Sequence, residues 1–426
     1  MKEISRRDFA RGLGLATALS YSRIVGANER IRMGYIGMGN RGDQVHDAFL
    51  EQPDAPTAAV CDLREDYMDF AVKKSNASPR KYKDHRKLLE DKEVDAVVIA
   101  TPDHWHALMF IEACNAGKDV YVEKPLATSI EEGQKMVAAA RKYNRVVQAG
   151  TMQRSGVHFQ QACEIVRSGK LGKVTFVRTW NYGLAKPAGI GNPPDGEPPA
   201  GLDWEMWLGP APKRAFNKNR WGVDLDAFSH FRWFWDYAGG MMTDWGVHWL
   251  DIVQMAFNEA MPQSVVALGG KYYLTDNRDT PDTLQVTYEY PGFLATYENR
   301  EASSISMFQR GGGILFHGTK GTLYLDRNFY EVVPEEKSDL QRERVKRSND
   351  MNDAHWANFL ECVKTRAKPA SDVETCHRST ATCLLGNIAL RSKLRIDWDD
   401  KKGTVRQRAA RKYLKREYRK PWKLSV

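Results

Sequence analysis

The segment that most constrains this chain is Gly37-Met38-Gly39-Asn40-Arg41-Gly42, set between an apolar run from Ile31 to Ile36 and a helical pattern carrying Val45, Ala48 and Phe49. A second apolar run, Thr57 to Cys61, is closed by Asp62. Strand, glycine turn, helix, strand and acid, in that order, describe the opening of a dinucleotide-binding βαβ unit. Each position has a physical reason. Gly37 permits the tight turn, Gly39 lets backbone approach a pyrophosphate, and Gly42 lets the helix pack on the strand. The helix N-terminus, with Met38, Asn40 and Arg41 around it, faces the phosphates. Asp62 stands where a carboxylate reaches the adenosine ribose hydroxyls. It would repel a 2′-phosphate, so NAD rather than NADP is expected, with Arg41 and Arg64 the residues that argue the other way.

The alternation continues. Ala96 to Ala100 reads as a buried strand and Trp105 to Ala116 as a helix. Val120 to Val122 is a strand, Ile130 to Tyr143 a helix and Val146 to Ala149 a strand. This predicts an α/β fold, with a doubly wound parallel Rossmann sheet over residues 28–150. After Gly150 the pattern changes. A helix over Phe159 to Val166 and a strand over Val174 to Trp180 precede a Gly/Pro-rich loop at 183–201. Strands follow near 264–273, 283–290, 293–300, 313–317 and 321–325, then helices over Met351 to Lys364 and Glu374 to Leu394. Residues 151–400 therefore read as an α+β domain with an open, mostly antiparallel sheet. Two domains suit a chain of 426 residues, which is long for a single core.

Charge is unevenly placed. The formal net charge is +9, but residues 401–426 hold eleven Lys/Arg against Glu417 alone, and the body between the two ends is slightly acidic. The tail is therefore expected to dock, through Tyr418, Pro421 and Trp422, on the body or on a neighbouring subunit. Nucleic-acid binding is not expected. The first residues read as an address. Ser5-Arg6-Arg7-Asp8-Phe9, a mildly apolar stretch from Gly12 to Leu19 and the small residues Val25-Gly26-Ala27 predict a twin-arginine signal over 1–27 and export, to the periplasm for example. No apolar run is long enough for a membrane span. The six cysteines read as small buried hydrophobes, since Cys376 and Cys383 lie two helical turns apart, too far to bridge.

Three further motifs carry chemistry. Glu123-Lys124-Pro125 follows the strand ending at Val122. Thr101-Pro102-Asp103-His104-Trp105-His106 follows the strand ending at Ala100. Gly239-Gly240-Met241-Met242-Thr243-Asp244-Trp245-Gly246-Val247-His248 is a glycine-rich stretch ending in Asp-x-x-x-His. Together they resemble the Gfo/Idh/MocA family, the glucose–fructose oxidoreductase and inositol dehydrogenase group, over residues 31 to about 395. The twin-arginine segment resembles its exported branch, which includes NAD-dependent glycosidases. The resemblance implies sugar or cyclitol substrates, oxidation at a secondary alcohol, a tightly held and recycled nicotinamide, and a second domain used for dimerisation, hence a homo-oligomer (dimer or tetramer).

The site residues follow. Lys124 sits at the carboxyl edge of a parallel sheet, where such sheets bind ligands. By resemblance it polarises the hydroxyl, with Glu123 orienting it. Asp244 and His248, four apart, would share one face of a helix, the carboxylate orienting the imidazole; by resemblance His248 shares the proton transfer. Asp251 continues that face. Thr101, Pro102 and His106 are expected at the cofactor. His104, Gln153, Arg154, Arg232 and Trp233 are expected at the sugar, while Trp235 reads equally as core. His-x-His at 104 and 106 lacks the further ligands of a metal site, so no metal is expected. Three functions fit: an NAD-dependent sugar oxidoreductase, a redox-neutral NAD-dependent glycoside hydrolase, and a sugar-binding protein with a degenerate site. Intact Lys124, Asp244 and His248 argue against the third.

Overall fold

A computed structural model describes residues 30–75, 77–221, 225, 228–305 and 310–426. The twin-arginine segment, 1–27, lies outside the described residues.

The first domain is built on six strands: β1 (Met33–Ile36), β2 (Thr57–Cys61), β3 (Arg80–Tyr82), β4 (Ala96–Ile99), β5 (Asp119–Val122) and β6 (Val147–Ala149). They pair in the order β3-β2-β1-β4-β5-β6, all parallel. β1, β4 and β5 are buried along their whole length, as strands covered on both faces must be. The helices are α1 (Asn40–Leu50), α2 (Glu65–Lys74), α3 (His85–Leu89), α4 (Asp103–Asn115) and α5 (Ile130–Lys142). Strand order reverses between β1 and β4, which opens a crevice at their carboxyl ends. α5 starts in a capping box. Ser129 Oγ accepts from Glu132 N at 3.3 Å, and Glu132 Oε2 accepts from Thr128 N at 2.9 Å.

The second domain centres on a ten-stranded sheet. Its middle strand, Val174–Tyr182, runs parallel to Phe293–Arg300 and antiparallel to Gly312–Gly318. The other pairings are antiparallel, so the sheet is mixed. One face, with Val177, Tyr288, Ala295, Phe316 and Val332, is buried in a core shared with helices Gly246–Ala256 and Val373–Ser392. The opposite face leaves Val266, Leu268, Leu294 and Val333 exposed. Helix Met351–Thr365 returns to the first domain, packing Trp356 and Phe359 with Phe49 of α1. The two domains thus share apolar cores, which holds the crevice between them in a fixed shape. All six cysteines are buried and unpaired. Among the described residues no helix is long and apolar enough to cross a membrane.

The basic tail is docked on the body. Tyr418 Oη donates to Glu132 Oε1 at 2.8 Å, at the capping box of α5. The Trp422 ring meets Trp105 of α4 edge-on, with centroids 4.9 Å apart. Arg419 reaches Glu205 and the carbonyls of Gly209 and Ala211, and Arg416 bonds Thr128 and the carbonyl of Asp236. Backbone carbonyls therefore satisfy much of this charge, more than the acidic surface expected from composition. Deleting residues 404–426 should remove a ladder strand and these anchors, and lower the melting temperature by several degrees in a fluorescence melt. An unchanged melt would contradict the docking.

Candidate functional site

The crevice continues into a cavity of about 380 Å³ between the first domain's carboxyl edge and the second domain, within the ordinary range for small ligands. Its walls run from Gly39 and Asp62 at one end to Lys124, His248 and Arg327 at the other.

The first end fits a dinucleotide. Gly37 has φ +89°, and a Cβ there would lie 2.9 Å from the Ala100 backbone. A Cβ on Gly42 would lie 1.9 Å from the Gly37 carbonyl, so only glycine lets α1 close on the turn. Asp62 accepts from Met38 N at 2.7 Å and from Arg64 N at 2.9 Å. Burial pushes its carboxyl up, against the pull of those two amides. Arg64 is held by Asp66, and Arg41 turns away to Glu123, with Nε 2.8 Å from Oε1. Both arginines therefore have acids of their own, which leaves Asp62 to set the preference for NAD. The buried Thr101 Oγ1 lines the cavity with no partner among the described residues, a donor free for a ligand. Asp62→Ala is expected to weaken NAD binding by on the order of tenfold or more in calorimetry, with a much smaller effect on the melt.

At the other end, Lys124 Nζ donates to Asp244 Oδ1 at 2.8 Å and to the Asp244 carbonyl at 3.0 Å. Arg232 Nε lies 3.4 Å from the same Oδ1. Burial alone would raise the Asp244 carboxyl, but Lys124 and Arg232 outweigh it and hold the group below its ordinary value. His248 is buried, and its Nδ1 has no partner among the described residues. Burial, then the charges of Arg327, Lys124 and Arg41, press its imidazole well below the usual range, so the ring is neutral. Asp103, at the start of α4, is pushed up to about 6 by burial, opposed by His106, Arg232 and Lys124.

Several expectations need correction. Asp244 and His248 do not share a helix. Gly240–Asp244 ends at Trp245 and a new helix, Gly246–Ala256, begins, so Asp244 serves Lys124 and Arg232 instead of orienting His248. Glu123 meets the backbone of Lys124, at 3.2 Å, and the side chain of Arg41, so it positions the lysine only through the main chain. His104 turns away from the cavity, its Nε2 donating to the Trp207 carbonyl among aromatic rings. His106 lines the cavity, its ring bridging the carbonyls of Pro125 and Thr101. Arg154 is buried in ion pairs with Asp251 and Glu259 and does not reach the cavity. Gln153 also stands behind the wall, bridging the His248 carbonyl and Arg327 Nε. Trp233 packs in an aromatic cluster under Arg278, and Trp235 is half-buried beneath Arg391. Arg327 and Trp245 are cavity residues that the sequence did not reveal.

Known proteins share this two-domain fold. Residues 31–151 match the Gfo/Idh/MocA oxidoreductase family's NAD-binding Rossmann fold, and residues 156–424 match its C-terminal alpha/beta domain. The chain is 31% identical, over 34% of each sequence, to glycosyl hydrolase family 109 protein 1 of Shewanella sp. (strain ANA-3). It is 30% identical to inositol 2-dehydrogenase of Salmonella paratyphi B, over 36% of this chain and 46% of that one. Each match thus spans less than half of the relative's length. The WlbA dehydrogenase of Bordetella pertussis, crystallised with NADH and UDP-GlcNAcA, has the same fold, with a TM-score of 0.65 at 19% identity over 87% of this chain and 99% of that one. With both domains matched along nearly the whole described length, this chain belongs to the Gfo/Idh/MocA oxidoreductase family.

Proposed function

We propose that the protein is an NAD-dependent oxidoreductase acting on a secondary hydroxyl of a sugar, cyclitol or glycoside. The observation that carries this reading is the Lys124–Asp244 pair beside a neutral, buried His248, in one cavity with the glycine turn and Asp62. NAD, when bound along Gly37–Gly42, supplies the two-electron redox chemistry. Two Lys124 protons are taken by Asp244, which leaves the third to donate to a substrate oxygen. That donation stabilises the oxygen as it loses its proton, and the neutral His248 ring accepts the proton. In the reducing direction the same two groups return it. Asp244 and His248 are buried, so these groups act at a lower dielectric than bulk water.

Relatives described as glycosyl hydrolase family 109 proteins favour a second reading of the same site. A transient ketone would acidify the neighbouring C–H, elimination would release the aglycone, and water addition with re-reduction would restore the sugar. One experiment separates the two. The full-length protein is incubated with NAD and a panel of free sugars and aryl glycosides, following NADH and released aglycone together. Net NADH supports the dehydrogenase, and aglycone without net NADH supports the glycosidase. Neither signal from any sugar overturns both.

The twin-arginine pattern, Arg6-Arg7 followed by Phe9, supports export of the folded protein with its cofactor aboard. Purified protein should then release NAD(H) on denaturation without any having been added. Empty protein that fails to take up NAD would contradict this. Exposed Val266, Leu268, Leu294 and Val333 on one sheet face support a dimer or tetramer in solution, to be read by light scattering.

A further inference from the structure

The inner half of the cavity is lined by four cations, Arg41, Lys124, Arg232 and Arg327, against three carboxylates, Glu123, Asp244 and Asp103, one positive charge more than its acids answer. Arg41 is taken by Glu123, while Lys124 and Arg232 share Asp244. Arg327 lies on the turn after strand Gly321–Leu325 and lines the same cavity. Its partners among the described residues are neutral: Nε donates to Gln153 Oε1 at 3.2 Å, and the guanidinium lies 4.7 Å over the Trp245 ring. Among the described residues no carboxylate stands within ion-pair distance of it. Burial and then the charge of Arg41 press the group down to about 10, and the more distant Asp244, already shared by Lys124 and Arg232, does not offset them.

The group is also held in place. Gln153 Nε2 donates to the His248 carbonyl at 3.0 Å, so one amide ties Arg327 to the residue beside the reacting centre. With Nε engaged and one face on an indole, the two terminal nitrogens remain for a ligand. A planar pair of N–H donors matches a carboxylate's two oxygens. A fixed, half-buried cation is costly unless something answers it. Cofactor phosphates belong at Gly39 and the start of α1, whereas Arg327 stands with His248 and Trp245 on the second domain's side.

We propose that Arg327 binds a carboxylate on the substrate, so that the preferred sugar is a uronic acid or its glycoside and a neutral hexose is the poorer substrate. This rests on the oxidoreductase reading above and names its substrate class. One guanidinium offers one unit of charge, which a carboxylate neutralises in full. A phosphate dianion would leave an excess beside Asp244 and Glu123.

The test uses the full-length protein saturated with NAD. D-Glucuronate, D-galacturonate and D-mannuronate, free and as aryl glycosides, are compared with the matching neutral hexoses and hexose 6-phosphates, by turnover and by calorimetry. At least one uronate should exceed its neutral counterpart in kcat/KM by on the order of tenfold to a hundredfold. Arg327→Gln should erase that preference, chiefly through KM and with NAD affinity kept, and Arg327→Lys should restore part of it. A neutral or phosphorylated sugar preferred over every uronate overturns the proposal, as does a uronate preference unchanged in Arg327→Gln. If Arg327→Gln fails to fold, the wild-type preference alone decides. Turnover of neutral sugars without any uronate preference sinks only this proposal, while inertness toward every sugar sinks the oxidoreductase reading with it.

Discussion

Lys124→Ala should lower turnover by ~10²–10⁴-fold while the protein still binds NAD, and His248→Ala should do the same. The two losses have different origins. Among the described residues Lys124 is the cation nearest Asp244, and two of its three protons are committed there, at 2.8 and 3.0 Å. Alanine removes the donor to the substrate oxygen. It also strips Asp244 of its nearest partner, leaving Arg232 at 3.4 Å. Breaking a buried pair on one side costs about 3–5 kcal/mol, so Lys124→Ala should also melt earlier. Asp244→Asn separates the two effects. It keeps the lysine and loses its anchor, and should reduce kcat less than Lys124→Ala does. Among the described residues His248 makes no ion pair, so His248→Ala should cost less stability than Lys124→Ala, mainly the packing of its buried ring on Trp245, and takes the proton acceptor. Stopped-flow turnover beside calorimetric NAD titration checks all three variants. Near wild-type turnover in Lys124→Ala or His248→Ala would remove that residue from the mechanism.

The parts of this site that could be read in the sequence are those fixed by local chemistry. Gly37, Gly42 and Asp62 are dictated by one turn and the end of one strand, and the structure places all three where a βαβ unit requires. Lys124 is legible for the same reason, one residue beyond a buried strand and its acid. What failed depended on direction, which spacing does not encode. His104 and His106 lie two apart on α4, so their side chains diverge by about 200°, and only one can face the cavity. Arg154 follows the last Rossmann strand as a crevice residue would, but Asp251 and Glu259, about a hundred positions later, capture it. Arg327 carried no signal, because its place is set by a turn between two strands and by Gln153, far away in the chain. Strands Phe329–Pro334 and Glu343–Lys346 close one end of the sheet, and the outermost, Glu-Arg-Val-Lys, carries a single apolar residue, too little for a strand pattern. β3, Arg-Lys-Tyr, is three residues long and mostly exposed.

Acid should unfold this protein before most of its carboxylates titrate, because several histidines are buried as neutral rings, three of which set the scale. His46 bonds Thr57 Oγ1 at 3.0 Å beneath Tyr35, His104 sits among Trp105, Trp207 and Tyr237, and His355 is clamped between Ala149 O and Ser155 Oγ at 2.8 Å each. Burial is the largest cause in each, lowering His46 and His355 to about 4 and His104 to about 3. In the unfolded chain each titrates near its ordinary value of about 6.5. Below that pH the unfolded state takes up protons that the native state refuses, so stability is complete above pH ~6.5 and falls as pH drops toward 4. Three such groups give a slope approaching ~4 kcal/mol per pH unit in the middle of the window, against a typical total stability of ~5–15 kcal/mol. Asp103, raised to about 6, has the opposite sign and offsets about one of the three protons. The melting temperature at fixed NAD concentration should therefore fall steeply between pH 6.5 and 4.5, and His355→Gln, which keeps a neutral polar side chain there, should flatten the slope by about one proton. The acid limb of the rate profile is then set by unfolding, since His248 stays neutral through the same range. A melting temperature that holds level from pH 7 to 4.5 would show that these rings are protonated in the fold, and with them the neutral His248 would lose its physical basis.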